Sequence, residues 1–369
     1  MRSSVNGGDD AADGSAASAS YWWRSLEEAM KGQGASAQVR VVREMERLAA
    51  AGNDSLDDLR HKLLTYKAGD LWFPTGGITK QEMDIPPVIT ILLLGLAAAG
   101  KSSLVDLMYS VIGRAGFVPF TSPAEKDGRT LCLEEHNVLR SMRNGFCVFD
   151  SRGLDYDRMP DGLEEVAGWM ENGIRHRQPC RGAEDSPAAA AASSAAKRFT
   201  WRRVNCTIVV ADLYDLHQSL LSGNSAPLEA TGALFHYHPL KINSSEGPIL
   251  VLTHGDKLSP EERVEARVKV CGYLGVSETS GVYDTSCLNE YGAAVDEMDP
   301  TTSYAVAEAV FRALVVGDRS HRPKTRIKDW PWLALCWLMS AMAAFFAFLS
   351  SCCSQLGKVN RDYKYGKQS

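Results

Sequence analysis

The stretch Ile91-Leu92-Leu93-Leu94-Gly95-Leu96-Ala97-Ala98-Ala99-Gly100-Lys101-Ser102-Ser103-Leu104 constrains this chain more than any other. It reads as a buried strand running into G-x-x-x-x-G-K-S and then into helical residues, the setting that a phosphate-binding loop requires. Gly95 and Gly100 let the backbone turn tightly, so that successive N–H groups from Ala98 and Ala99 through Ser103 aim at a phosphate. Lys101 is placed to neutralise β- and γ-phosphates, and Ser102 to present a hydroxyl to Mg²⁺.

The residues around this loop alternate in a βα manner. Strands are expected at residues 88–94, 131–138, 145–149, 206–211, 248–253 and 281–285, and helices at 101–112, 215–221, 260–274 and 304–315. Ser259 before Pro260 is a helix start by both residues, a hydroxyl cap followed by proline at the first helical position. Nearly continuous apolar strands separated by helices imply an α/β fold, a mainly parallel sheet with helices on both faces. Upstream, Val41, Met45 and Leu48, then Leu56, Leu59 and Leu63, recur at helical spacing, so residues 21–85 form a helical N-terminal region packed on the sheet domain, or else a separate partner-binding hairpin. Asn53-Asp54-Ser55 caps the junction between its helices, and Trp22 and Trp23 are candidates to staple the first one down.

The flanking segments differ in composition. Residues 1–20 are mostly Gly, Ala, Ser and Asp, a solvated leader. The Ala/Ser tract at 183–197 reads as a low-complexity surface insertion, with a short helix as the alternative. A net charge of −5 over 369 residues gives no reason to expect nucleic-acid binding. The nine cysteines include no C-x-x-C pair, and several fall in expected strands, which favours a reducing compartment.

Residues 330–353, WPWLALCWLMSAMAAFFAFLSSCC, carry no charge, and about 20 apolar residues span a bilayer core. A basic linker at 319–329, the short tail at 354–369 and the tryptophans 330, 332 and 337 at one end all suit a transmembrane helix. With no apolar run near the N-terminus, the expectation is a tail-anchored protein whose bulk faces the cytosol from the endoplasmic reticulum or an organelle outer membrane. Cys352 and Cys353 are candidates for acylation, or packing residues.

Two further motifs serve a nucleotide. Phe146-Cys147-Val148-Phe149-Asp150 is an apolar strand ending in D-S-R-G, where Asp150 can hold a metal's water shell and Gly153 can bring a backbone N–H near a γ-phosphate. Ile249-Leu250-Val251-Leu252-Thr253-His254-Gly255-Asp256-Lys257 ends a later strand in a form like [NT]-K-x-D, with histidine for lysine. Asp256 can accept from both the N1–H and the 2-amino group of guanine, a donor pair that adenine lacks. Thr285-Ser286-Cys287 stands at the next strand end, where a backbone N–H from Ser286 or Cys287 can meet the guanine carbonyl. A switch threonine is expected between Ser102 and Asp150; Thr130, 20 residues before Asp150, is the preferred candidate and Thr121 the competitor.

Together these motifs resemble the P-loop GTPases over roughly residues 88–316, within a GTPase domain expected at 86–318. The stretches 71–103 and 251–258, with Asp84-Ile85-Pro86 before the first strand and the form L-T-H-x-D, also resemble interferon-induced GTPase-like proteins. The resemblance implies a G domain, Mg²⁺-dependent binding of GTP and GDP, a switch between the two states, and an activating partner or self-association. It also implies a nucleotide set of Gly95, Ala98, Ala99, Gly100, Lys101, Ser102, Ser103, Gly153, Thr253, His254, Asp256, Lys257, Ser286 and Cys287, with Ser102, Thr130 and Asp150 on the metal. Leu154 follows Gly153 where many members carry a glutamine that positions the attacking water, so hydrolysis is expected to be slow or to draw on Arg152, Asp155 or Asp157 or a partner. The alternatives are a non-hydrolysing GTP-binding membrane scaffold and, further off, a P-loop ATPase or kinase.

Overall fold

The computed structural model describes residues 21–26, 36–74, 77–113, 131–139, 145–180, 196–241, 247–285, 299–324 and 334–350. Thr121, Thr130, Ser286, Cys287, nearly all of the Ala/Ser tract and both ends of 330–353 lie outside them.

Residues 1–80 and 85–321 belong to one compact unit. Its centre is a six-stranded sheet in the order β2-β3-β1-β4-β5-β6. The strands are β1 (Ile89–Leu94), β2 (Glu134–His136), β3 (Phe146–Asp150), β4 (Cys206–Asp212), β5 (Ile249–Thr253) and β6 (Val282–Asp284). Among the described strands only β2 runs antiparallel, pairing Glu134 with Asp150, while β1 pairs in parallel with both β3 and β4. The expected second strand is shorter than its apolar run suggests. Instead, Leu133 N–H donates to the Gln178 carbonyl, the Leu133 carbonyl accepts from Arg177 N–H, and Cys180 N–H donates to the Leu131 carbonyl, so segments 131–133 and 177–180 pair with each other.

Because side chains alternate faces along a strand, each strand feeds two cores. Ile89, Ile91 and Leu93 of β1 join Phe146, Val148, Ile208, Val210, Ile249 and Val251 on one face; Leu92, Leu94, Cys147, Phe149, Val209, Leu250 and Leu252 line the other. The first face is covered by α1 (Ala37–Asp54), α2 (Leu56–Thr65), α3 (Lys101–Val111) and α9 (Pro300–Arg319). The second is covered by α4 (Met159–Asn172), α5 (Leu213–Ser222), α6 (Ala226–Phe235), the short α7 (His238–Lys241) and α8 (Pro260–Leu274). Expected helices at 101–112 and 260–274 stand within a residue of those bounds; α4 and α6 were not expected.

Local chemistry explains several boundaries. Ser36 caps α1 through Val39 N–H, and α8 opens with a full capping box between Ser259 and Glu262, with Pro260 at its first position. α9 starts at Pro300, where Asp299 accepts from the N–H groups of Thr301 and Thr302. Near its end Asp318, fully buried, accepts from the backbone N–H of Gly69 at 2.8 Å and of Leu71 at 2.9 Å. That carboxylate fixes the chain leaving α2 onto the sheet unit.

Residues 81–84 and 322–369 form a second unit. In it Asp84 donates to the Arg322 carbonyl and Lys324 N–H to that of Glu82, a short antiparallel pairing around Met83 and Pro323. Residues 334–350 are helical with exposed side chains. No helix among the described residues is long and apolar enough to cross a membrane; the described helix is part of the 330–353 segment.

Candidate functional site

The register brings the carboxyl ends of β1, β3, β4, β5 and β6 to one edge of the sheet, with order reversing at β1, the position where open α/β sheets leave a ligand crevice. The loop after β1 sits there. A Cβ on Gly95 would stand 2.2 Å from the Val210 carbonyl oxygen, so only glycine lets this turn lie on β4. Ala98 and Gly100 both adopt left-handed backbone, with φ of 60° and 80°. For Ala98 this is uncommon, and strain of this kind is often held where backbone groups are presented to a ligand. Gly100 is the N-cap of α3 and supplies no capping side chain, so the first-turn N–H groups at Lys101, Ser102 and Ser103 point out of the helix end without one.

Lys101 is buried and folds back over the loop, donating to the carbonyl of Leu96 at 2.9 Å and more distantly to that of Gly95 at 3.4 Å. Burial lowers its pKa to about 8, opposed by the nearby charge of Asp150. The Ser102 hydroxyl donates to Asp150 Oδ2 at 2.5 Å. Asp150 is itself buried, which raises its pKa against the hydrogen bond from Ser102 and the charge of Lys101. Its second oxygen, Oδ1, is buried with no hydrogen-bond partner in the structure. An orphaned carboxylate oxygen beside a serine hydroxyl is the hard-oxygen donor set that Mg²⁺ prefers, so these residues fit the ion. Among the described residues no cluster of three His, Cys, Asp or Glu side chains could hold a metal by itself.

After β3 the chain turns back onto the loop. Ser151 Oγ donates to the Leu93 carbonyl at 2.6 Å, and a Cβ on Gly153 would lie 2.4 Å from Ala97 Cα. Leu154 pairs with the loop through its own backbone: its N–H donates to Gly95 O at 2.9 Å and its carbonyl accepts from Ala97 at 2.8 Å. The Leu154 side chain is buried in the second core, against the position of Gly162. It faces away from solvent and orients no water. Asp155 accepts from Asp157 N–H at the start of a single 3-10 turn, Tyr156–Arg158.

On the other side, Thr253 at the end of β5 is buried, and its hydroxyl donates to the Ala99 carbonyl at 2.9 Å. The base-reading candidate and the phosphate loop are therefore tied together by one side chain. His254 takes left-handed backbone, φ 56°, and its Nδ1 lies 2.8 Å from Asp212 Oδ2. Asp212 is half-buried and caps α5 through Asp215 N–H; the hydrogen bond from His254 holds its pKa low against burial. Asp256 is exposed in the 3-10 turn Gly255–Lys257, and Lys257 Nζ lies 5.7 Å from the centre of the Tyr214 ring.

Three residues that sequence reasoning missed complete this edge: Asp212, Arg263 and Asp284. Arg263 and Asp284 form a buried bidentate pair, both contacts 2.8 Å, directly beneath the 254–257 turn. A signal existed for the arginine. Arg263 and Arg267 stand one turn apart on the apolar stripe of α8, where a cation requires a buried acceptor.

No family model matches the chain, and no curated protein matches it. Among solved structures it is similar to Toc33 from Arabidopsis thaliana in complex with GDP and Mg²⁺, with a TM-score of 0.27 and 15% identity, over 61% of this chain and 85% of that one. The functional reading rests on the geometry above.

Proposed function

We propose that this protein binds guanine nucleotides with Mg²⁺ and hydrolyses GTP slowly or only with a partner, acting as a switch. One observation carries the reading: the open amides at the α3 start, the Ser102–Asp150 donor pair and the exposed Asp256 stand at one sheet edge, with Thr253 joined to the phosphate loop at Ala99. In this reading the N–H groups of Ala98 through Ser103 cradle the phosphates and Lys101 exchanges its carbonyl contacts for phosphate oxygens. Gly153 offers its backbone to the γ-phosphate, and Asp256 accepts from the guanine edge, with His254, Lys257, Ser286 and Cys287 around the base. Ser102 and Asp150, with Thr130, would hold Mg²⁺, which neutralises phosphate charge when bound.

Competition binding on the full chain tests this reading. Lys101→Ala should abolish nucleotide binding, and Asp256→Asn should move preference from GTP to XTP, since an amide donates where xanthine presents a carbonyl. Equal affinity of the native chain for ATP and GTP would overturn the guanine assignment.

Leu154 favours a second reading, a GTP-binding scaffold that does not hydrolyse, because the usual water-positioning place is turned into the core. Single-turnover hydrolysis with and without liposomes separates the two; a rate equal to buffer in both supports the scaffold. The uncharged segment 330–353 between basic flanks supports a membrane anchor with the nucleotide site facing the cytosol.

A further inference from the structure

The Arg263–Asp284 pair is more than a core ion pair, because of what packs on it from either side. Asp284 ends β6, one residue before Thr285 and the base-side loop. Gly255, between His254 and Asp256, lies so close that a Cβ there would stand 2.5 Å from Arg263 Nε and 3.0 Å from Asp284 Oδ1. The backbone that carries Asp256 therefore rests on the guanidinium. From the N-terminal segment, Trp22 lays its ring over the same group, 4.2 Å from Arg263 Cζ to the ring centre.

Trp22 is in turn held in place. The Trp23 ring meets it edge-on at 5.5 Å, and Trp23 is fully buried with its indole N–H donating to Glu46 of α1. A guanidinium is flat, so an aromatic face and a bidentate carboxylate together fix its plane as well as its position. Removing the ring leaves Arg263 paired to Asp284 but free to tilt, and the turn above it tilts too.

We propose that Trp22 is a positioning residue for base selectivity: through Arg263 it sets the height and angle of the Gly255–Lys257 turn that presents Asp256 to the base. This inference rests on the guanine reading of Asp256. It predicts that discrimination between guanine and hypoxanthine, which differ by the 2-amino group alone, depends on an aromatic residue 234 positions before Asp256 in the chain.

The test uses the full chain and its Trp22→Ala, Trp22→Leu and Trp22→Phe variants, with dissociation constants for GDP, IDP and ADP in Mg²⁺. In Trp22→Ala the preference for GDP over IDP should fall about tenfold while ADP binding, which relies on the phosphate loop, stays within about twofold. Trp22→Phe should retain most of the preference, and Trp22→Leu, which keeps bulk without a π face, should lose it and carries the test where the alanine variant does not fold. Hydrogen exchange at amides 254–257 should quicken in the nucleotide-free alanine or leucine variant. A native-like preference in Trp22→Leu overturns the brace and leaves the guanine reading standing. A parallel loss of all three nucleotides also overturns it, since the effect is then on the whole fold. A native chain that does not prefer GDP over IDP and ADP overturns both.

Discussion

At Leu154 a single apolar side chain is buried beside the candidate site. The residue follows the glycine that approaches the loop after β1, yet its side chain belongs to the second core and lies against the Gly162 position. Restoring the polar residue common in the resembling family should not restore fast chemistry. Leu154→Gln should leave single-turnover hydrolysis within a few-fold of native and lower stability in urea by about 1–3 kcal/mol, the cost of burying an amide without partners. A large acceleration would show that the side chain leaves the core when nucleotide binds. Gly95, Lys101, Ser102, Asp150 and Asp256 stood out in the sequence because each belongs to a short motif of fixed spacing after an apolar strand, and the sheet order brings those strand ends to one edge. Asp212, Arg263 and Asp284 were not, because their partners lie far apart in the chain and meet only through sheet register. Thr253 was legible as part of a motif, but its hydroxyl faces the Ala99 carbonyl, a contact between loops that no local pattern encodes.

At the scale of elements, α1, α3, α8 and the five parallel strands were readable from periodicity, and α8 from its cap as well. The helix α4 was hidden by the D-S-R-G turn before it and by Gly162 and Gly168 within it, and α6 by its weak amphipathicity, apolar on most sides. Strand β2 is short because 177–180 takes over the pairing that its apolar run would otherwise make. Its last residue, His136, is buried, and burial followed by the charge of His176 lowers its pKa to about 4. The unfolded chain protonates first as pH falls, so this histidine withdraws stability progressively from about pH 6.5 down to about 4. His136→Phe should flatten that acid limb in urea unfolding followed across pH; an unchanged slope would rule out His136 as its source. The α2-to-α9 junction depends on Asp318. Asp318→Ala leaves one buried and one part-buried N–H group without an acceptor and should cost about 1–3 kcal/mol, with Asp318→Asn recovering part of it.

For the whole molecule, we propose that the sheet unit holds the nucleotide site and that residues beyond 322 bring it to a membrane. The full chain should float with liposomes in a density gradient, and a chain ending at residue 324 should remain at the bottom. Equal recovery of both in the lipid fraction would move the membrane contact to the sheet unit. Both chains should bind nucleotide alike, because every residue of the proposed site belongs to residues 85–321. The phosphate loop, finally, is stitched from two sides, by Thr253 to Ala99 and by Leu154 to Gly95 and Ala97. A loop that stands ready-shaped asks little rearrangement of an arriving nucleotide, so capture should proceed at an ordinary rate of about 10⁵–10⁷ M⁻¹s⁻¹. Residence time then becomes the adjustable quantity, and a partner that speeds exchange would act by unpicking one of those stitches.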